Sequence, residues 1–263
     1  MSWLTKTLSS SIGKKVLMSL TGLFLCTFLL VHLSGNLQLF KDDGGYAFNT
    51  YAVFMTSFPP VKVISYGNYF FILFHAFWGL YLEYQNRKAR GVRYAVFKNS
   101  STWSSRNMAI LGTILLVYIV VHMGDFWYKF HNEPLPYTQY TETIKTGERV
   151  TVPMPDSYTQ DVKQVDITNA EAGTHTVIVK DLYKEVSVAF QNPILVIFYL
   201  IGMLAVGLHL YHGFQSAFQS LGWRHPKYTP FIRFIGIWVF AIGIPVGFAA
   251  MPVFFYVKHL MGN

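Results

Sequence analysis

The chain has 263 residues, of which 52% are hydrophobic, 17% aromatic and only 13% charged. Soluble domains carry about 25% charged residues, and here long stretches carry none, which excludes an ordinary soluble enzyme and points to a polytopic membrane protein. The formal charge of +8 sits in short loops between apolar segments, so it reads as a membrane-orientation signal and not as a nucleic-acid surface.

A bilayer crossing takes about 20 mostly apolar residues. Five stretches meet that length, at residues 16–39, 63–83, 108–127, 193–220 and 231–257. The first holds the single cysteine, Cys26, which excludes an intrachain disulfide and a Cys-ligated iron–sulfur or zinc site in this chain. It follows Lys14-Lys15 but is too long and lacks a small-residue cleavage site, so it is expected to be retained. The second ends in Leu82-Glu83-Tyr84-Gln85-Asn86-Arg87, an exit into water.

After the third span comes the one soluble-looking stretch, residues 131–191, with nine Asp and Glu against five Lys and Arg. Its β-prone pieces at 149–152 and 174–179 suggest a small hairpin, and 181–190 suggests a short amphipathic helix along the membrane surface. The fifth span contains Pro245 and Pro252, which predict a kink or an unwound turn. The expected fold is an all-α integral membrane protein, a single membrane domain over 1–263. Four of its five transmembrane helices form a cofactor-binding bundle, and a long extracytoplasmic loop joins helices three and four.

Orientation follows from Lys and Arg in the short loops. Lys6, Lys14 and Lys15, then Arg87, Lys88, Arg90, Arg93, Lys98 and Arg106, then Arg224, Lys227 and Arg233 fall on one side. The other side has Lys41, Lys62 and Lys258, the long loop being left out. Twelve against three predicts a cytoplasmic N-terminus and an extracytoplasmic C-terminus.

Four of these spans each carry a histidine: His32, His75, His122 and His209. An ionisable side chain in hydrocarbon is costly and is a functional-site candidate by default. Alternating direction turns position into depth. His32 and His122 share an outer level, and His75 and His209 a deeper, cytoplasm-ward one. Four histidines at two matched depths are what two bis-histidine haem irons require.

Two axial imidazoles leave no position for oxygen or substrate, so such a haem carries electrons. Each ligand should donate its other ring nitrogen to a carbonyl or hydroxyl. No CxxCH is present, which makes the haem a non-covalent b-type. Gly35, Gly79, Gly202 and Gly213 stand at helical spacings from these histidines and offer room for a flat macrocycle. His212 competes with His209 from one turn further along the same face, its alternative role being a hydrogen bond to a propionate or a quinone. His131, His175, His225 and His259 read as ordinary solvated residues.

The stretches Leu30-Val31-His32-Leu33-Ser34-Gly35-Asn36, Phe74-His75-Ala76-Phe77-Trp78-Gly79, Val120-Val121-His122 and Leu208-His209-Leu210-Tyr211-His212-Gly213-Phe214 occur in that order, with Ala47-Phe48-Asn49-Thr50-Tyr51 and Pro59-Pro60 between the first two. Together they resemble the five-helix, single-chain, di-haem cytochrome b subunit of succinate:quinone oxidoreductase and quinol:fumarate reductase, across all five spans. The resemblance implies a membrane anchor in a bacterial cytoplasmic membrane. It implies partner subunits on the cytoplasmic face, a flavoprotein with FAD and an iron–sulfur protein, which carry out the succinate chemistry. Two haems b would pass electrons to a quinone, menaquinone in preference to ubiquinone, with His209 and not His212 as the ligand.

The chain departs from the family's fumarate reductases in two places. Gly207 stands where some place a glutamate, and Val53-Phe54-Met55-Thr56 offers no carboxylate, which favours succinate oxidation. Asn36, one turn beyond His32, is a candidate hydrogen-bond donor to the quinone, or simply a polar helix-end residue. Two other readings remain at this point: a haem-b anchor of a different membrane oxidoreductase, and a haem-free transporter or structural anchor. The scarcity of acidic residues within the spans disfavours an ion-coupled transporter.

Overall fold

The computed structural model describes residue 6, residues 9–90 and residues 102–262; Arg93 and Lys98 of the basic loop lie outside the described residues. The molecule is mostly helical, at 71%. Five helices are long and apolar enough to cross a membrane: Ser11–Phe40, Pro59–Ala89, Met108–Asn132, Pro193–Ser220 and Thr229–Leu260. Each contains the corresponding stretch predicted from hydropathy. The shortest has 25 residues, which at about 1.5 Å per residue exceeds a hydrocarbon core of about 30 Å. The helices overrun the apolar stretches because, once nucleated, a helix extends cheaply through the polar residues that flank it.

Three of the five leave the α spacing. The first closes in a 3-10 turn over Leu37–Phe40. The third runs as α-helix over Met108–His122 and as π-helix over Met123–Tyr128. The fifth is π-helical over Ile235–Gly243 before Ile244–Leu260 resumes the α spacing. The second wide stretch has a local cause. Pro245 has no N–H to return to the Ala241 carbonyl four residues back, so the α ladder cannot close there. The expected irregularity is thus a widened helix placed before Pro245, while Ile244–Leu260 continues through the fully buried Pro252.

The chain groups into two compact units. The first gathers the described residues of Met1–Leu33, Ser65–Ile119 and Ile197–Ala250. Its core joins Cys26, Leu210, Phe214, Phe240 and Ile244, with the rings of Phe214 and Phe240 stacked at 4.5 Å.

The second unit, Ser34–Ile64, Val120–Val196 and Met251–Asn263, corrects the all-α expectation and the loop at 131–191. That stretch holds a four-stranded antiparallel sheet of β1 (Tyr137–Thr143), β2 (Arg149–Pro153), β3 (Gln164–Asn169) and β4 (Thr174–Lys180), in the order β2-β1-β4-β3. The two segments predicted as β are both strands, yet they do not pair with each other. β1 lies between them, with Tyr140 opposite Thr151 on one side and Val177 on the other. β1 escapes a search for apolar alternation because its buried side chains are Tyr137, Thr138 and Tyr140. The predicted amphipathic helix is present as Leu182–Ala189, capped by the Asp181 side chain, which accepts from the Lys184 N–H.

A buried polar clasp ties this sheet to the helix Tyr46–Ser57. Asn49, with no exposed surface, donates from Nδ2 to Asp181 Oδ1 at 2.9 Å and to the Tyr140 hydroxyl at 3.2 Å. Its Oδ1 accepts from the Tyr183 N–H at 2.8 Å. Thr138 Oγ1 donates to the other Asp181 oxygen at 2.5 Å, and the Tyr140 hydroxyl donates to the Gly44 carbonyl at 2.9 Å. Beside the clasp Val53, Phe130, Leu135, Val177 and Val179 form an apolar core. Asn49→Ala would leave the Asp181 carboxylate buried with one donor fewer, a loss of about 2–3 kcal/mol. The expected outcome is faster hydrogen exchange of the β1 and β4 amides with the apolar spans unaffected; unchanged exchange would refute the clasp.

Candidate functional site

Of the four predicted ligands, the structure brings His75 and His209 together within the first unit. Their ring centroids lie 6.2 Å apart with the planes at 69°. His75 comes from the helix Pro59–Ala89 and His209 from Pro193–Ser220, so two spans distant in sequence present imidazoles to each other, as the depth argument predicted.

Hydrogen bonding orients the ring of His75. Its Nδ1 lies 3.0 Å from Thr21 Oγ1. The same hydroxyl lies 3.0 Å from the Leu17 carbonyl and 3.1 Å from that of Met18. In the tautomer in which the hydroxyl donates to one of these carbonyls and accepts from His75, the imidazole proton is on Nδ1 and Nε2 keeps its lone pair. A metal-binding imidazole has this form: one nitrogen orients the ring and the other is free to coordinate. Gly22, next to Thr21, gives the ring its space, since a Cβ there would sit 3.2 Å from His75 Cε1.

His209 is held differently. Its Nδ1 is buried and has no hydrogen-bond partner among the described residues. An orphaned polar atom in a buried, apolar setting costs free energy and calls for an explanation. Beyond it, a Cβ on Gly213 would reach His209 Cδ2 and Met108 Cε only at ordinary contact distance, 4.0 Å.

The pair passes a simple test of fit to a haem iron. Imidazoles on opposite faces of one metal, bonded at about 2.0–2.1 Å with about 1.1 Å from nitrogen to ring centre, have centroids about 6 Å apart. The observed ring separation agrees, and the bond to Thr21 engages Nδ1 of His75, so that Nε2 is the nitrogen left for coordination. The missing second-shell bond at Nδ1 of His209 is where the arrangement departs from expectation.

The remaining predicted residues are placed as follows. His32 lies in the first unit, stacked on Phe28 at 5.2 Å and tilted against Phe248 at 5.4 Å. His122 lies in the second unit, at the junction with the π-helix, edge-on to Phe126 at 5.6 Å. Asn36 ends the helix Ser11–Asn36, and its neighbour Gly35 is faced by the Tyr51 ring. His212 is half-buried one turn beyond His209. Gly202 is occupied by the Tyr118 ring and Gly79 by the end of Met18, so with Gly35 protein side chains fill three of the four positions read as room for a macrocycle.

Thr21 and Gly22 were not singled out from sequence. A threonine in an apolar helix normally bonds back to its own carbonyls, and nothing local announces a partner 54 positions away. Gly207 has its own explanation. A Cβ there would lie 2.8 Å from the Ala241 carbonyl oxygen, the group that Pro245 leaves without an α-type donor. The position has no room for a side chain. Gly207→Ala should cost about 1–3 kcal/mol, seen as a lower Tm in detergent; an unchanged Tm would show that the backbone yields there. No family model, curated protein or solved structure matched the chain, so its function is argued from its own residues.

Proposed function

We propose that the chain is the membrane-anchor cytochrome b of a succinate:quinone oxidoreductase, the quinone-reducing membrane subunit of that enzyme. The observation that carries the reading is the His75–His209 pair, with its matching ring separation and with the Nδ1 of His75 bonded to Thr21. The order of motifs along the chain supports the same family.

In this reading His75 and His209 would hold an inner haem b, and His32 and His122 an outer one. Haem, when bound, would supply one-electron transfer. The protein's own part is positional. Thr21, bonded to Nδ1, would hold the His75 ring in place and favour the tautomer with its proton on Nδ1, Gly22 lets that ring approach the first span, and Cys26, Leu210 and Phe214 supply an apolar core in the same unit.

Asn36 and His212 are the candidate hydrogen-bond donors to a quinone, menaquinone by preference. A flavoprotein carrying FAD and an iron–sulfur subunit dock on the cytoplasmic face of the bacterial inner membrane. The N-terminus lies on that side, with the C-terminus and residues 131–191 opposite. The packed backbone at Gly207 leaves no place for the glutamate of some fumarate reductases, which supports succinate oxidation as the working direction.

Pyridine haemochrome analysis of the purified complex should find two b haems per chain. His75→Ala and His209→Ala should each remove the same one, and His32→Ala and His122→Ala the other. Succinate should reduce the haems in the intact complex. A folded chain without haem would sink the proposal. Thr21→Val, which keeps the volume and removes the acceptor, should weaken retention of the inner haem about 10- to 100-fold and shift its midpoint potential, while Thr21→Ser should restore both. If Thr21→Val matches the wild type, the tautomer assignment fails and the haem reading stands.

A further inference from the structure

Residues 131–191 carry nine acidic and five basic residues, yet two of those five are drawn together where the sheet meets the ends of the apolar helices. The ammonium groups of Lys163 and Lys180 lie 4.8 Å and 5.6 Å from the centroid of the same Phe130 ring. The Lys180 N–H donates to the Lys163 carbonyl at 2.9 Å, which binds the two side chains to one short stretch of sheet and loop. Lys180 Nζ also donates to the carbonyls of Phe130 at 2.8 Å and Glu133 at 2.6 Å, so its position is set by the backbone and its charge is not neutralised.

His131, at the end of the third span, is edge-on to the Phe130 ring at 5.8 Å and within electrostatic reach of Lys163, Lys180 and Lys62. Lys62, at the start of the second span, also acts on Lys163. The Glu133 carboxylate acts on Lys180 without forming an ion pair with it. Among the described residues, no ion pair involves Lys62, Lys163 or Lys180. Four other acids of the unit are engaged elsewhere: Glu185 with Lys129, Glu142 with Arg149, Asp166 with His175, and Asp181 with Asn49 and Thr138.

Burial, then the charges of Lys180 and Lys62, pull Lys163 down to about 8. Gathering three lysines in a half-buried place, with Glu133 alone acting on Lys180 as a counter-charge among the groups described, is unfavourable for the protein by itself, and an anion would offset the penalty. The surroundings are equally specific. Phe58, Val63, Trp127 and Tyr128 expose their side chains in the same unit, an apolar and aromatic collar of the kind found at the membrane boundary.

We propose that Lys62, Lys163 and Lys180, with His131, form a binding site for a phosphate group, presented by an acidic lipid whose acyl chains lie along the aromatic collar. Lys180 offers its remaining N–H from a fixed position, Lys163 and Lys62 close on the phosphate from opposite elements, and the Phe130 ring forms the floor. A bound headgroup would cross-link the starts and ends of two spans to the sheet through charge, without a bond to any base or peptide. The site is independent of the haem reading.

The test uses the full chain, purified in detergent, with thermal unfolding followed by tryptophan fluorescence. Added phosphatidylglycerol is expected to raise Tm in a saturable way, as a ligand specific to the folded state must, while phosphatidylcholine does not. Lys62→Gln with Lys163→Gln should weaken that response at least 10-fold, and the Lys62→Arg/Lys163→Arg pair should retain it, which separates lost charge from a damaged fold. If inorganic phosphate at millimolar concentration gives the same saturable shift and blocks that of the lipid, the site is a free-phosphate site of the same chemistry. Equal responses to both lipids, or an unaltered response in the glutamine pair, overturn the proposal.

Discussion

The hydrogen bond between His75 Nδ1 and Thr21 Oγ1 governs the chemistry available to the first unit. In water an imidazole exchanges tautomers freely, because either nitrogen can find a partner. Inside an apolar bundle the choice belongs to whichever protein group is in reach. Here that group is Thr21, whose single hydroxyl proton the first helix's carbonyls also compete for, so a backbone feature of one span bears on which nitrogen of another span keeps its lone pair. The glycine beside that threonine then determines how near the ring can come.

The second unit follows the same logic with different residues. Asn49 has a donor group and an acceptor group, and both are spent across more than 90 positions of sequence, on Tyr140, Asp181 and the Tyr183 amide. Neither unit relies on apolar burial alone for its specificity. Each places one polar side chain where only a few partners from remote elements can satisfy it, and an unsatisfied group at either place would cost more than the bond contributes.

What could be read from the amino-acid order divides along physical lines. The five apolar helices were legible because bilayer thickness imposes a length that composition reports directly. The meeting of His75 and His209 was legible because span direction alternates. The helix Leu182–Ala189 announced itself through its amphipathic pattern and Asp181 cap. The sheet was only half visible: Val177 and Val179 mark β4, whereas β1 buries tyrosine and threonine whose hydroxyls are satisfied from outside the strand. Thr21, Gly22 and Gly207 could not be found locally at all. Their meaning lies in an acceptor, a ring edge and a carbonyl contributed by other spans.

The carbonyl released at Ala241 has a further consequence, for how this sequence can drift. Because Pro245 withholds the donor that would draw that oxygen back into its own helix, the oxygen stands where a Cβ of residue 207 would come. The two positions are therefore coupled in their history. A side chain at 207 comes at a cost in stability while Pro245 remains, and a lineage that first replaces Pro245 with a residue bearing an N–H lowers that cost. Carboxylate chemistry at that place is thus reached more easily by an ordered pair of substitutions, with the proline changed first.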